Sequence, residues 1–290
     1  MVYNFNTDLA LEELVNWLKK IGERDNFNKV VLGISGGKDS TIAAALCCRA
    51  FGTENVHGLL LPNGVQSDIN DSIDVCNALG ISYDTINIKP VYDSFLLAYG
   101  LGTLDGDSKK KASSLVNNAD KLTKLLMKPN GEEAPSLTNE SLINLSPRIR
   151  MSMIRLWGQS HHYRMCGTGN LSEITVGYCT KDGDTSCDFS PFGKLTSIEV
   201  VEIGKKLKEI PKRLVVKTPT DGLCGQTDEE KLGVTYDMIH KYIRSIKIDN
   251  ETWYKINALE RAGLHKRGGA APVYIPSDTV LYGANAGGIK

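Results

Sequence analysis

The sequence predicts an α/β domain built on a doubly wound, mainly parallel sheet of about five strands flanked by helices. Three observations predict it. Short apolar runs alternate with amphipathic stretches in strand–helix–strand–helix–strand order, which is the pattern of parallel βαβ units. A glycine-rich loop follows the first apolar run and leads directly into a helix. The 290 residues, 41% apolar and 23% charged, suffice for a large hydrophobic core and lack the composition of a disordered chain or a coiled coil.

The elements follow in order. Over 7–24, Leu9, Leu14, Val15, Leu18 and Ile21 fall on one helical stripe, with Thr7 or Asp8 as the expected cap. Residues 30–34 read as a buried parallel strand, 41–51 as an alanine-rich helix, and 56–61 as a second strand stopping at Pro62-Asn63. A helix over about 67–79 stops at Gly80, and the alternation of Ile81, Tyr83, Thr85, Ile86 and Ile88 marks a third strand. From about 100 to 140 the chain is rich in Gly, Asp, Asn, Lys and Ser, a polar insertion in which 119–127 is helix-compatible. A helix from Ser141 carries Arg148, Met151, Ile154 and Trp157, and 164–167 read as a fourth strand. Helical patterns return over 196–208 and 228–247, and from about 268 an irregular tail is expected. The whole of 1–290 is expected to form a single domain.

Composition narrows the function. Lys+Arg and Asp+Glu both number 34, so the basic excess of a nucleic-acid binder is missing, and the runs at 109–111 and 205–213 read as solvated faces. No window approaches the ~18 apolar residues that span a membrane. Asp8, Glu12 and Glu13 break any secretory pattern at the N-terminus. The seven cysteines are odd in number and contain no C-x-x-C pair, which suits reduced thiols in the cytoplasm.

The chemistry concentrates in Gly33-Ile34-Ser35-Gly36-Gly37-Lys38-Asp39-Ser40, at a strand-to-helix junction. Adjacent glycines allow a tight turn and close approach of a ligand. Free N–H groups at the helix start, with the Ser35 and Ser40 hydroxyls, make a nest for an anion. The Gly-Lys-Ser/Thr order of a Walker loop is absent. An acid inside an anion nest needs a cation between it and the phosphates, which makes Asp39 a candidate Mg²⁺ ligand.

This loop matches the S-G-G-x-D-S loop of N-type ATP pyrophosphatases, which cleave ATP to AMP and pyrophosphate. Six further elements keep the order found in NAD synthetases. They are Asn144 to Met151, Gly167 to Glu173, Thr175 to Asp184, Lys217 to Leu223, Asp228 to Tyr236, and His265-Lys266-Arg267. Over roughly 30–267 the chain therefore resembles ammonia-dependent NAD synthetases, of adenine nucleotide alpha hydrolase-like fold. The resemblance implies that residues 33–40, Thr168, Ser197 and Thr220 contact ATP, and that Asp39 and Glu173 hold Mg²⁺. It implies that Arg148, Lys181, Asp188, His265 and Lys266 contact deamido-NAD, and that ammonia is the nitrogen donor. A homodimer is implied in the same way. Three positions depart from the usual pattern: Ser197 replaces a Lys, Gly169 replaces an acid suited to ammonium, and Asp182 replaces an aromatic.

Overall fold

The computed structural model describes residues 3–66, 68–98, 138–217, 227–267 and 273–282. The predicted insertion therefore lies almost wholly outside the described residues. The elements are α1 (Thr7–Arg24), β1 (Val30–Gly33), α2 (Lys38–Phe51), β2 (Val56–Leu60), α3 (Ile69–Leu79), β3 (Ser82–Thr85), α4 (Lys89–Ala98), α5 (Asn139–His161), β4 (Arg164–Met165), α6 (Leu171–Val176), α7 (Ser197–Lys206), α8 (Lys212–Val215), α9 (Asp228–Leu232), α10 (Tyr236–Ile243), α11 (Asn250–Gly263) and α12 (Asp278–Tyr282).

Among the described residues the sheet has four strands, in the order β3-β2-β1-β4, all parallel, where about five were expected. Val30 pairs with Val56 on one side and Arg164 on the other. Beyond β4 the described chain makes only the single parallel bridges Cys166 to Phe189 and Ser190 to Val273.

Alternation along the strands divides the interior into two layers. Val30, Leu32, Val56 and Leu60 join a core with α1, α2 and α7, while Val31, Leu59 and Leu61 pack on the other face against α5. Sheet faces covered on both sides explain why these strands read as continuous apolar runs. A third, smaller cluster of Val176, Val234, Tyr236, Ile239 and Ile256 joins α6, α10 and α11 beside the sheet.

Several boundaries differ from the sequence reading. The cap of α1 is Asn6, whose side chain accepts from the Leu9 N–H at 3.2 Å, rather than Thr7 or Asp8. The helix read over 228–247 is two helices: the chain turns at Gly233, and Thr235 caps the second by accepting from the Met238 N–H. The tail is ordered over 273–282. There Tyr274 and Val280 are buried, and Asn4 and Asn6 donate to the carbonyls of Leu281 and Val280. Among the described residues no helix is long and apolar enough to cross a membrane.

Candidate active site

The C-terminal ends of parallel strands are where open α/β sheets place their ligands, and the glycine-rich loop follows one such end, that of β1. β1 ends at Gly33, and Gly37 caps α2. Gly36 is left-handed, with φ +72°. Hydroxyls shape the loop between them. Ser35 Oγ lies 3.1 Å from Ser40 Oγ and accepts from the Gly37 N–H at 3.3 Å. Ser40 and Thr41 both donate to the Gly37 carbonyl, at 3.2 and 2.8 Å. The result is a preformed turn facing the positive end of a 14-residue helix, suited to phosphate oxygens.

Two acids and one cation meet behind this turn. Lys38 is only 6% exposed, and its ammonium donates to Asp39 Oδ2 at 2.6 Å. The other oxygen, Asp39 Oδ1, is buried and has no hydrogen-bond partner among the described residues. Glu173 enters from the first turn of α6, fixed by a capping box: Asn170 accepts from the Glu173 N–H at 3.2 Å, and Glu173 accepts from the Asn170 N–H at 3.0 Å. Burial, and then the charge of Asp39, push the Glu173 carboxyl well above the usual carboxylate range, with Lys38 opposing them. Burial works against the Lys38 charge, but Asp39, Glu173 and Asp228 outweigh it and hold its pKa above the ordinary value.

Lys38 also lies 5.4 Å from the ring centroid of Tyr236. The Tyr236 hydroxyl donates to Asp228 Oδ2 at 3.2 Å, and the Tyr178 hydroxyl to Asp228 Oδ1 at 3.1 Å. Burial and the neighbouring acids raise the pKa of Tyr236, so it stays a neutral donor. Sequence reasoning matched Asp228 and Tyr236 to a family element but gave them no part in the site. The only sequence signal was that element itself, far from the loop along the chain.

The donor set suits Mg²⁺. This ion prefers hard oxygen ligands and is usually held by one or two carboxylates together with substrate phosphates. A buried carboxylate oxygen without a partner, next to a second carboxyl group, meets that description. Among the described residues no cluster of three or more His, Cys, Asp or Glu could hold a metal.

The other predicted residues fall into separate groups. Thr168 lies in the turn between β4 and α6. Ser197 is buried at the start of α7, where its N–H donates to Ser172 Oγ at 3.1 Å. Thr220 lies outside the described residues. Arg148, on α5, donates from Nε to the Lys181 carbonyl at 3.2 Å, bringing those two together. Its neighbour Arg150 is anchored on the Leu61 carbonyl at 2.9 Å, which sets α5 against the end of β2. The Asp188 carboxylate accepts from Arg155 and from the Met165 N–H, at the edge of β4. Lys266 donates to the Gly177 carbonyl at 2.8 Å and Arg267 to the Thr175 carbonyl at 2.8 Å. These cations complement the C-terminal end of α6, the helix that carries Glu173. His265 Nδ1 sits 3.0 Å from the Ala262 carbonyl.

One of the departures has a physical explanation. Asp182 adopts φ +60°, a conformation that Asp tolerates better than an aromatic residue, and its N–H donates to Thr185 Oγ1 at 3.0 Å. A Cβ on Gly169 would lie 3.9 Å from Glu173 Oε2, an ordinary van der Waals contact, and nothing in the structure explains the glycine.

The NAD synthase family model matches residues 10–267. The chain is 33% identical over 273 residues to the NH(3)-dependent NAD(+) synthetase of Thermococcus kodakarensis, covering 89% of this chain and 94% of the relative. It is 38% identical over 240 residues to the enzyme of the same description from Methanococcoides burtonii, covering 82% and 79%. Among solved structures, an NMN synthetase from Francisella tularensis superposes with a TM-score of 0.74 at 29% identity, covering 94% of this chain and 99% of that one.

Proposed function

Since this chain belongs to the NAD synthase family, we propose that it is a C–N ligase that amidates the nicotinate carboxylate of deamido-NAD with ammonia, giving NAD, AMP and pyrophosphate. The observation that carries the reading is the phosphate-shaped turn at the end of β1, with the unpartnered Asp39 Oδ1 and the Glu173 carboxyl beside it.

The substrate carboxylate attacks the α-phosphorus of ATP, and pyrophosphate leaves into the turn formed by Ser35, Gly36, Gly37 and Ser40. Ammonia then attacks the activated acyl carbon, and AMP departs. Attack by a carboxylate on a phosphate brings like charges together, so the site must supply positive potential there. The N–H groups at the start of α2 and the Lys38 ammonium supply part of it. Asp39 and Glu173 would hold Mg²⁺, which when bound neutralises phosphate charge and orients the chain of phosphates. Arg148, whose Nε donates to the Lys181 carbonyl, and Lys181 carry charge suited to the anionic dinucleotide and are assigned to it on family resemblance. Thr168, Ser197 and Thr220 are assigned to ATP, and Asp188, His265 and Lys266 to deamido-NAD, on family resemblance. A homodimer and a cytoplasmic location complete the proposal.

The test is incubation of the purified protein with ATP, Mg²⁺, deamido-NAD and ammonium, followed by detection of NAD and AMP. Absence of both products refutes the reading, and replacing ammonium with glutamine is expected to abolish turnover. A second acceptor is favoured by the similarity to the Francisella protein described as an NMN synthetase. On that reading the amidated acid is nicotinate mononucleotide. A kcat/KM comparison of the mononucleotide and dinucleotide acids decides between them.

A further inference from the structure

Position 38 is the one residue of the loop that the motif leaves open, and here it holds a cation. Its side chain is only 6% exposed, and the ammonium lies 2.6 Å from Asp39 Oδ2 and 5.4 Å from the Tyr236 ring centroid. Asp39 is itself only 16% exposed. The ammonium therefore occupies one face of the carboxylate that the function proposed above assigns to Mg²⁺. It also feels the charges of Glu173 and Asp228.

We infer that Lys38 is a built-in counter-cation that denies the Asp39–Glu173 pair a metal ion until nucleotide arrives. The inference rests on the assignment of those two acids to Mg²⁺. Without nucleotide, the pair offers a dication two carboxyl groups with an ammonium already seated on one of them. A unit charge a few ångströms away, at the screening found near protein surfaces, changes ion affinity by far more than tenfold if nothing relaxes. Relaxation and water reduce this, and a tenfold effect is a conservative expectation. Nucleotide phosphates bring several negative charges to the nest and offset the ammonium. The consequence is an order of events in which the metal enters with ATP rather than before it. The geometry also leaves Asp39 Oδ1 unpartnered while Oδ2 is tied, so Lys38 presents one defined oxygen. Lys38 is thus a positioning and gating residue for the metal.

The test measures metal binding without turnover. Mn²⁺ serves as a spectroscopic substitute, its free concentration followed by electron paramagnetic resonance, and Mg²⁺ affinity is measured by calorimetry, both in the absence of nucleotide. Lys38→Met is expected to bind either ion at least tenfold more tightly than the wild type, whereas Lys38→Arg, which keeps the charge, stays within about threefold of it. Equal affinity in Lys38→Met and wild type, or weaker binding in Lys38→Met, overturns the inference. If Lys38→Met does not fold, Lys38→Gln is used with the same criterion, and wild-type protein saturated with metal at micromolar concentration before ATP is added overturns it as well. Adding Asp39→Asn to Lys38→Met separates the two levels of the argument. Survival of the tightened site in that double variant defeats the Asp39 metal assignment itself. Loss of the site in Asp39→Asn without tightening in Lys38→Met defeats only the gating role.

Discussion

Gly36→Ala probes the turn that carries the proposed chemistry. Gly36 has φ +72°, and a Cβ there would lie 2.7 Å from the Asp71 Cβ and 3.0 Å from the Ser72 backbone nitrogen. Two costs follow. A left-handed conformation costs a non-glycine residue about 1–2 kcal/mol. The contacts are with a Cβ and a backbone atom, neither of which can rotate away, and forcing extra volume into such a place costs about 1–3 kcal/mol. The expected destabilisation is therefore about 2–5 kcal/mol. Gly80 separates the two terms. It has φ +66°, and a Cβ there would meet nothing within 4 Å. Gly80→Ala should carry only the backbone term, and the entropy that alanine removes from the unfolded chain is common to both variants. Urea unfolding followed by circular dichroism gives both free energies, and calorimetric titration with ATP reports on the turn. Gly36→Ala should lose ATP affinity at least tenfold, while Gly80→Ala keeps it. Equal destabilisation by the two variants, or ATP binding by Gly36→Ala within twofold of wild type, would refute the reasoning.

Three other predictions concern the charge network. Glu199 is fully buried and accepts from Arg244 Nε and Nη2, the Thr196 N–H and the Tyr3 hydroxyl at 2.6–2.9 Å. Removing one partner of such a pair costs about 3–5 kcal/mol, so Arg244→Met should lower stability by that amount and Glu199→Gln should restore part of it; a loss below about 1 kcal/mol, on the same scale, contradicts this account. Burial, opposed by Asp84 and aided by His161, lowers the pKa of His57; burial, opposed by Glu199 and Asp237 and aided by Arg244 and Lys241, lowers that of His240. A depressed pKa in the folded state means that the unfolded chain takes up protons first as pH falls below about 6.5. Melting temperature should therefore drop from about pH 6.5 toward about pH 5, and less steeply in His240→Gln; an equally steep drop in that variant removes His240 from the explanation. Asp39→Asn and Glu173→Gln should each reduce kcat across a Mg²⁺ titration, with the double variant little worse than the poorer single one. Fully additive losses would mean that the two acids do not act on one ion.

What was legible in the sequence was local. The S-G-G-x-D-S turn, its two serine hydroxyls and its acid lie within a few residues, where steric rules and hydrogen-bond reach fix the shape. The apolar runs of β1 and β2 read as buried strands because both sheet faces are covered. The break at Gly233 was also written locally, in a glycine followed by a capping Thr235, but the longer amphipathic pattern concealed it. The sequence by itself thus determined the glycine-rich turn, the parallel sheet and the family to which the chain belongs. Only the tertiary structure decided that Lys38 turns inward onto Asp39, that Asp228 and Tyr236 arrive beside it from α9 and α10, and that Lys266 and Arg267 close the end of the helix bearing Glu173. The physical reason is that a lysine costs little in water and much in a core, so the same letter is a solvated charge or a buried counter-ion according to which acids the fold brings to it. That pairing depends on packing between segments distant along the chain, and no local rule encodes it.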